Sequence, residues 1–182
     1  MSIPTLVSQS RSGRLFWRER SVDFFEDGKQ SAAHNCKAWN AKRAGREALT
    51  ARNKSGYRHG SFLGKAIQAH RAAWLITHGY WPDQIDHING NSLDNRITNL
   101  RDVNNQENQR NLCRFKNNKS GVAGVSWDSS RSRWVVNIRD ENKINHLRRF
   151  DTLLDAVAAR KSAEREHGYH VNHGRDPVEV AA

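Results

Sequence analysis

Asp86 and His87 stand side by side, Asn89, Gly90 and Asn91 follow them, and Asn108 comes after a further polar stretch. Hydrolysing a phosphodiester needs a deprotonated water held in line, relief of the charge that builds on the phosphoryl oxygens, and a stabilised departing 3′ oxygen. A histidine near neutral pH can meet the first need. A hard divalent cation can meet much of the rest, and because Mg²⁺ keeps several of its waters, one carboxylate and one amide oxygen are enough protein. His87, Asp86 and Asn108 are residues of those types. Taken singly, an Asp-His pair in a turn, the turn asparagines Asn95 and Asn99, and a helix residue such as Asn108 all have structural readings. Their combination beside a basic segment points to a metal-dependent cut in a nucleic-acid backbone. Asn99 is expected to tie the loop to the backbone through its side chain and so hold His87 in position.

The elements that must place these residues can be read around them. Residues 83–103 have the pattern of two short strands around an ordered loop, with Gly90 and the asparagines supplying the turn. Asn104 with Glu107 resembles a capping box, so a helix begins at Asn104 or Asn105 and carries Asn108 in or just beyond its first turn. Upstream, 70–78 reads as a helix that Gly79 ends and Pro82 keeps from resuming. Residues 61–68 suit a strand or hairpin arm, 15–17 and 22–25 suit short aromatic strands, and 37–48 suits a helix. Downstream, 122–127, 133–139 and 144–150 form a three-stranded antiparallel meander. Thr152 and Asp155 open a helix through about His167, on which Leu153, Ala156, Val157 and Ala163 form one stripe. The expected organisation is a flexible start (1–12), a first module (13–112), a linker (113–120), a sheet-and-helix module (121–170) and a flexible tail (171–182). The class is α+β.

Composition narrows the function. The chain has 182 residues and a formal net charge of +11, which suits one or two small domains. Six tryptophans argue for packed cores. No apolar run approaches the ~20 residues of a membrane span, and Met1 to Ser10 lacks the pattern of a signal peptide. Cys36 and Cys113 stand apart, which excludes a four-cysteine zinc site and fits a reducing compartment, with the cytoplasm as the expected location. Lys37, Lys42, Arg43, Arg46, Arg52, Lys54, Arg58, Lys65 and Arg71 face a single acid, Glu47, between residues 36 and 71. That segment is either a solvated basic surface or a footprint for phosphate polyanions. Arg71, Arg96 and Arg101 can each grip phosphate. Arg96 and Arg101 can equally pair with Asp94 or Asp102.

The run Asp86-His87-Ile88-Asn89-Gly90-Asn91, then Asp94-Asn95-Arg96, Asn99-Leu100-Arg101 and Glu107-Asn108, resembles the HNH (ββα-metal) endonuclease family, and within it the kind found in phages and homing endonucleases. The upstream stretches 39–45, 69–74 and 79–82 resemble the same subset. The resemblance implies a general base at His87, metal ligands at Asp86 and Asn108, a loop-ordering asparagine at Asn99 that acts with the base, and one divalent ion, Mg²⁺ or Mn²⁺. His70 falls within the resemblance and has either a packing or capping role or a catalytic one. Residues 118–170 resemble the ethylene-response-factor (Apetala) type DNA-binding domain, in which a three-stranded sheet enters the major groove with a helix on its back. That implies contacts from Trp127, Arg131, Arg133, Arg139 and Arg148. Arg148 departs from the family, which has glycine there. The expectation is therefore a monomeric, metal-dependent endonuclease on double-stranded DNA that also grips it through Arg43, Lys54, Arg71, Arg96 and Arg101. A non-catalytic DNA-binding regulator on an HNH scaffold is the alternative.

Overall fold

The structure is a computed structural model that describes residues 6–62, 64–140 and 143–176. Eleven strands and four α-helices in the described residues form small antiparallel sheets, in keeping with the α+β class. The chain divides into two compact units, 1–87 with 91–101, and 88–90 with 102–182.

In the first unit, β1 (Val7–Gln9), β2 (Leu15–Trp17) and β3 (Glu47–Ala48) make one sheet in that order. Strands β4 (Ala51–Arg52), β5 (Arg58–Phe62) and β6 (Lys65–Gln68) make a second, in which Phe62 faces Lys65 across a tight hairpin. Leu6, Val7, Leu15, Trp17, Leu49 and Phe62 form the core with the buried face of α2 (Ala69–His78). Each such aliphatic side chain contributes about 1.5–3 kcal/mol when fully buried. Helix α2 presents Ala69, Ala72 and Ala73 to that core, small enough for close approach. It ends as the sequence indicates: Gly79 takes a left-handed conformation (φ 80°) and its N–H returns to the Leu75 carbonyl.

Two expectations are corrected here. Residues 22–25 are not a strand. Val22–Phe24 is a 3-10 turn, set by local hydrogen bonds that run from Ser21 Oγ to Asp23 and from the Phe25 N–H to Val22. Phe24 packs on the core and Phe25 lies against Trp39, so the aromatics do not alternate between two faces. The helix expected over 37–48 is α1 (Ala32–Arg43), capped by Ser31. Gly45, at φ 74°, reverses the chain, its N–H meets the Trp17 carbonyl, and Glu47 joins β2 opposite Phe16.

Strand β7 (Ile85–His87) pairs with β8 (Leu100–Asp102). In the second unit, α3 (Asn105–Gln109) carries the capping box: the Asn104 side chain accepts from Glu107 N, and the Glu107 carboxylate accepts from Asn104 N. Strands β9 (Val125–Asp128), β10 (Arg133–Asp140) and β11 (Lys143–Phe150) form the meander, with β10 central. Helix α4 (Leu153–Glu166) lies on it, capped by Thr152. The apolar stripe expected on α4 is only partly right. Ala156 and Ala163 are buried, but Leu153 is exposed, and the same face buries Arg160 and Glu164. The alanines bring the helix close, and Arg160 uses that proximity to donate to the Asn137 carbonyl of β10. Gly124 is required beneath it, because a Cβ there would lie 2.6 Å from the Asn137 oxygen. Within this unit the stretch expected as a flexible tail is held as far as Asp176: Arg175 donates to Asn111, and Asp176 pairs with Arg114. Residues 177–182 lie outside the described residues.

Candidate active site

The pair β7–β8 sets Asp86 and His87 on one edge of a polar loop, and both side chains are buried, at 8 % and 4 % exposed. Arg101, on the opposite strand, donates to Asp86 Oδ2 from Nε at 2.9 Å and from Nη2 at 2.6 Å. The loop between the strands is built from its own side chains. Asn91 Oδ1 accepts from Leu93 N. Asp94 takes the Arg96 guanidinium through both carboxylate oxygens, at 2.8 and 2.6 Å. Asn99 Nδ2 donates to the Asp94 carbonyl at 2.8 Å, a side-chain-to-backbone tie across the turn. The loop is also pinned from outside. Gln9 donates to the Asn95 carbonyl, and Gly13 (φ 81°) approaches so closely that a Cβ would sit 2.4 Å from Arg96 N.

His87 is oriented by a residue that the sequence does not single out for this role. Its Nε2 lies 3.0 Å from Asn95 Oδ1, and Asn95 is 2 % exposed. An amide oxygen only accepts, so this contact is a hydrogen bond in the tautomer whose Nε2 bears the proton and whose Nδ1 carries the lone pair. Burial pushes the His87 imidazole below its ordinary value, more than the Asn95 hydrogen bond and the negative charges of Asp86 and Asp94 pull it up.

Two further rings lie against His87. Tyr57 lies 5.1 Å from His70 and 5.8 Å from His87, centroid to centroid, and His70 meets His87 edge-on at 5.2 Å. His70 is buried and is pushed down to about 3, by burial first and then by His87 and Arg71. Its Nδ1 is buried with no hydrogen-bond partner. Tyr57 carries no motif in the sequence beyond following a turn glycine, so only the fold shows its place.

The other expected site residues separate into groups. Arg43 and Lys54 are exposed. Arg71 donates to the carbonyls of Pro82 and Asp83 and lies over Trp81, so it braces the turn after α2. Of the ion-pair alternatives, Arg96 takes Asp94, and Arg101 takes Asp86 instead of Asp94 or Asp102. Asn108 lies on α3, in the second unit. There, Arg131 pairs with Asp128, Arg133 with Asp151, and Arg139 donates to Gln109. The register corrects the expectation that one sheet face presents all the candidates. Trp127 opposes Trp134 and Arg148 opposes Val136, which puts both on the side of the buried Val125 and Val136. Arg149, which opposes Val135, and Arg133, two residues before Val135 on the same strand, lie on the opposite side.

Among the described residues no three His, Cys, Asp or Glu side chains converge as a metal cluster. A site of one carboxylate and one amide would not form such a cluster. Asp86 and Asn108 offer hard oxygen donors, which suit Mg²⁺ or Mn²⁺. The Asp86 carboxylate is already held by a cationic group, the Arg101 guanidinium. One carboxylate and one amide oxygen are the donor types that a hard divalent ion takes.

Residues 68–110 match the HNH endonuclease family. A relative, Protein 3.8 of Escherichia phage T7, is 37 % identical over 107 residues, which are 57 % of this chain and 88 % of that one. The chain belongs to the family of that phage protein. The matched HNH segment runs from the end of β6 through α2, the β7–β8 pair and α3, and so contains Asp86, His87, Asn95, Asn99 and Asn108. The match points to a nuclease-like or DNA-binding function for this segment. No solved structure matches the chain. The family match stops at Arg110, so it does not reach the meander and α4. Among the described residues no helix is long and apolar enough to cross a membrane.

Proposed function

We propose that the protein is a metal-dependent endonuclease that hydrolyses phosphodiester bonds of double-stranded DNA, with His87 as the general base. One observation carries this reading: a buried imidazole beside Asp86 whose Nε2 lies 3.0 Å from Asn95 Oδ1. Nδ1 of His87 takes a proton from water as the water oxygen bonds to phosphorus and the bond to the 3′ oxygen breaks. Asn95 holds the ring through Nε2 and supports the positive charge that forms on it. Asn99 keeps the loop closed through Asp94, and Asp94 adds a negative charge near the ring. Asp86 and Asn108 would hold the single divalent ion, which when bound supplies charge stabilisation at the phosphoryl and departing oxygens. Tyr57 and His70 wall the imidazole against solvent.

The meander of the second unit is proposed as the DNA-docking element of an Apetala-like module. Its three antiparallel strands with a helix on one side, and Arg133 and Arg149 on the other, support that reading. We propose that it acts in the cytoplasm, that of the host cell if it is phage-encoded, and as a monomer.

The test is nicking of supercoiled plasmid by wild type and by His87→Ala across several divalent metals, with DNA retention measured in parallel. Wild type nicks, and His87→Ala binds without nicking. Wild type that binds DNA but nicks nothing with any metal leaves the regulator on an HNH scaffold as the function.

A further inference from the structure

A second charged feature of the first unit takes no part in the His87 loop. Arg20 is fixed at both ends of its peptide: its N–H donates to Asn40 Oδ1, and its carbonyl accepts from Asn40 Nδ2 and from the Cys36 thiol. All three partner atoms belong to α1. The guanidinium lies over Trp39 at 3.8 Å from the ring centroid and near Trp17 at 5.6 Å. Its Nε is buried and has no hydrogen-bond partner among the described residues. The Arg43 guanidinium, on the last turn of the same helix, is near enough to push Arg20 down further, although burial is the larger cause.

Two guanidiniums share a groove of about 460 Å³ that Trp17, Trp39, Glu47 and His59 also line. Among the described residues no carboxylate pairs with either arginine. The nearest candidate, Glu47, is already taken by Arg14 and Arg58. Bringing two like charges together against aromatic walls is unfavourable in the free protein and becomes favourable when an anion enters. A planar guanidinium stacked on indole, with its backbone clamped, loses little freedom on binding. Its fork suits an anion with several acceptor oxygens. Arg43 belongs to the segment 36–71, whose nine basic side chains stand against one acid, so the groove adjoins a segment that attracts polyanions.

We propose that Arg20 and Arg43 form a phosphodiester-binding notch, separate from the His87 loop, that grips the DNA backbone flanking the cut. The identity of the polyanion rests on the endonuclease reading, whereas the notch itself does not. Inorganic phosphate is the probe for the notch alone. In ¹H–¹⁵N spectra the Arg20 Nε–H signal, assigned by its loss in Arg20→Gln, shifts saturably with phosphate, and Arg43→Gln weakens that titration several-fold. Arg43 is exposed, so its variant stays folded. A signal that does not move, or that drifts without saturating, overturns the notch.

Duplex DNA is the probe for its use. The slope of log affinity against log salt falls by about 0.9 for each phosphate contact removed. Arg20→Gln and Arg43→Gln each lower it by about that amount and weaken binding several-fold at moderate salt. Unchanged slopes in a wild type that binds DNA overturn the proposal. A wild type that binds no DNA overturns the endonuclease reading instead, and the phosphate titration then decides the notch by itself.

Discussion

The two units differ in what they bury beside their ion pairs. In the first, the buried polar side chains near β7 are His70, Asp86, His87, Asn95 and Asn99; Asp86 is paired with Arg101, and burial pushes both imidazoles below their ordinary value. In the second, the buried polar pair is Arg160 with Glu164, a salt bridge at 2.8 Å that also engages the Asn137 carbonyl and Lys161. A buried ion pair that satisfies itself fixes a helix on a sheet. A buried imidazole with one nitrogen tied and the other basic is poised to move a proton. Similar burial thus serves architecture in one unit and chemistry in the other.

Substitutions can break that contrast, and the expected effects differ in size. His87→Ala removes the base and lowers nicking on the order of 10²–10⁴-fold. Plasmid retention and the unfolding midpoint stay close to wild type, and a comparable loss of folding would mean that His87 is architectural. Chelation of divalent ions likewise stops cleavage while DNA stays bound. In the second unit, Arg160→Ala removes the donor to the Asn137 carbonyl and leaves Glu164 to Lys161 alone, and it destabilises that unit by up to about 3–5 kcal/mol, the scale for a buried pair that loses one partner. Denaturant melts of that unit check this, and the acid limb of nicking stays where it is.

Two smaller effects sharpen the comparison. Asn95→Ala frees the ring of His87 and slows nicking on the order of 10–100-fold, the scale at which partners that orient a site histidine act. Thr152→Ala removes only a helix cap and costs about 1 kcal/mol. It is measured by the melt alone and leaves nicking untouched.

His70 adds a pH signature to stability. Its folded value is about 3 against an ordinary 6.5, so the unfolded chain binds the proton more readily. The stability it contributes is full above about pH 6.5 and is lost progressively as pH falls toward 3. His70→Phe, which cannot titrate, flattens the pH dependence of the unfolding midpoint across that window. An unchanged dependence places the effect elsewhere.

Much of the site was legible because its cues are local. The Asp86-His87 pair, the turn residues after it, the glycine that ends α2 and the Asn104–Glu107 capping box all act over a few residues. Asn95 was not legible as the partner of His87. Two asparagines in one loop look alike until the turn is built, and then Asn95 meets the ring while Asn99 meets the Asp94 carbonyl. Tyr57 and Gly13 act through contacts distant in sequence, which no spacing reveals. Arg20 lay outside the basic segment, and only its clamp on α1 marks it. In the meander, the number and order of strands followed from alternation. Which side faces the core needed the pairing, and this distinguished Arg149 from Arg148.

The most direct measurement is the pH dependence of metal-supported nicking, compared between wild type and Asn95→Asp. A carboxylate in place of the Asn95 amide stabilises the imidazolium, raises the pKa of His87 and moves the acid limb to higher pH. In wild type that limb lies below the ordinary histidine value, because burial depresses the ring. If His87 takes the proton, the limb moves upward in Asn95→Asp. Nicking with the same acid limb in both proteins would contradict that role.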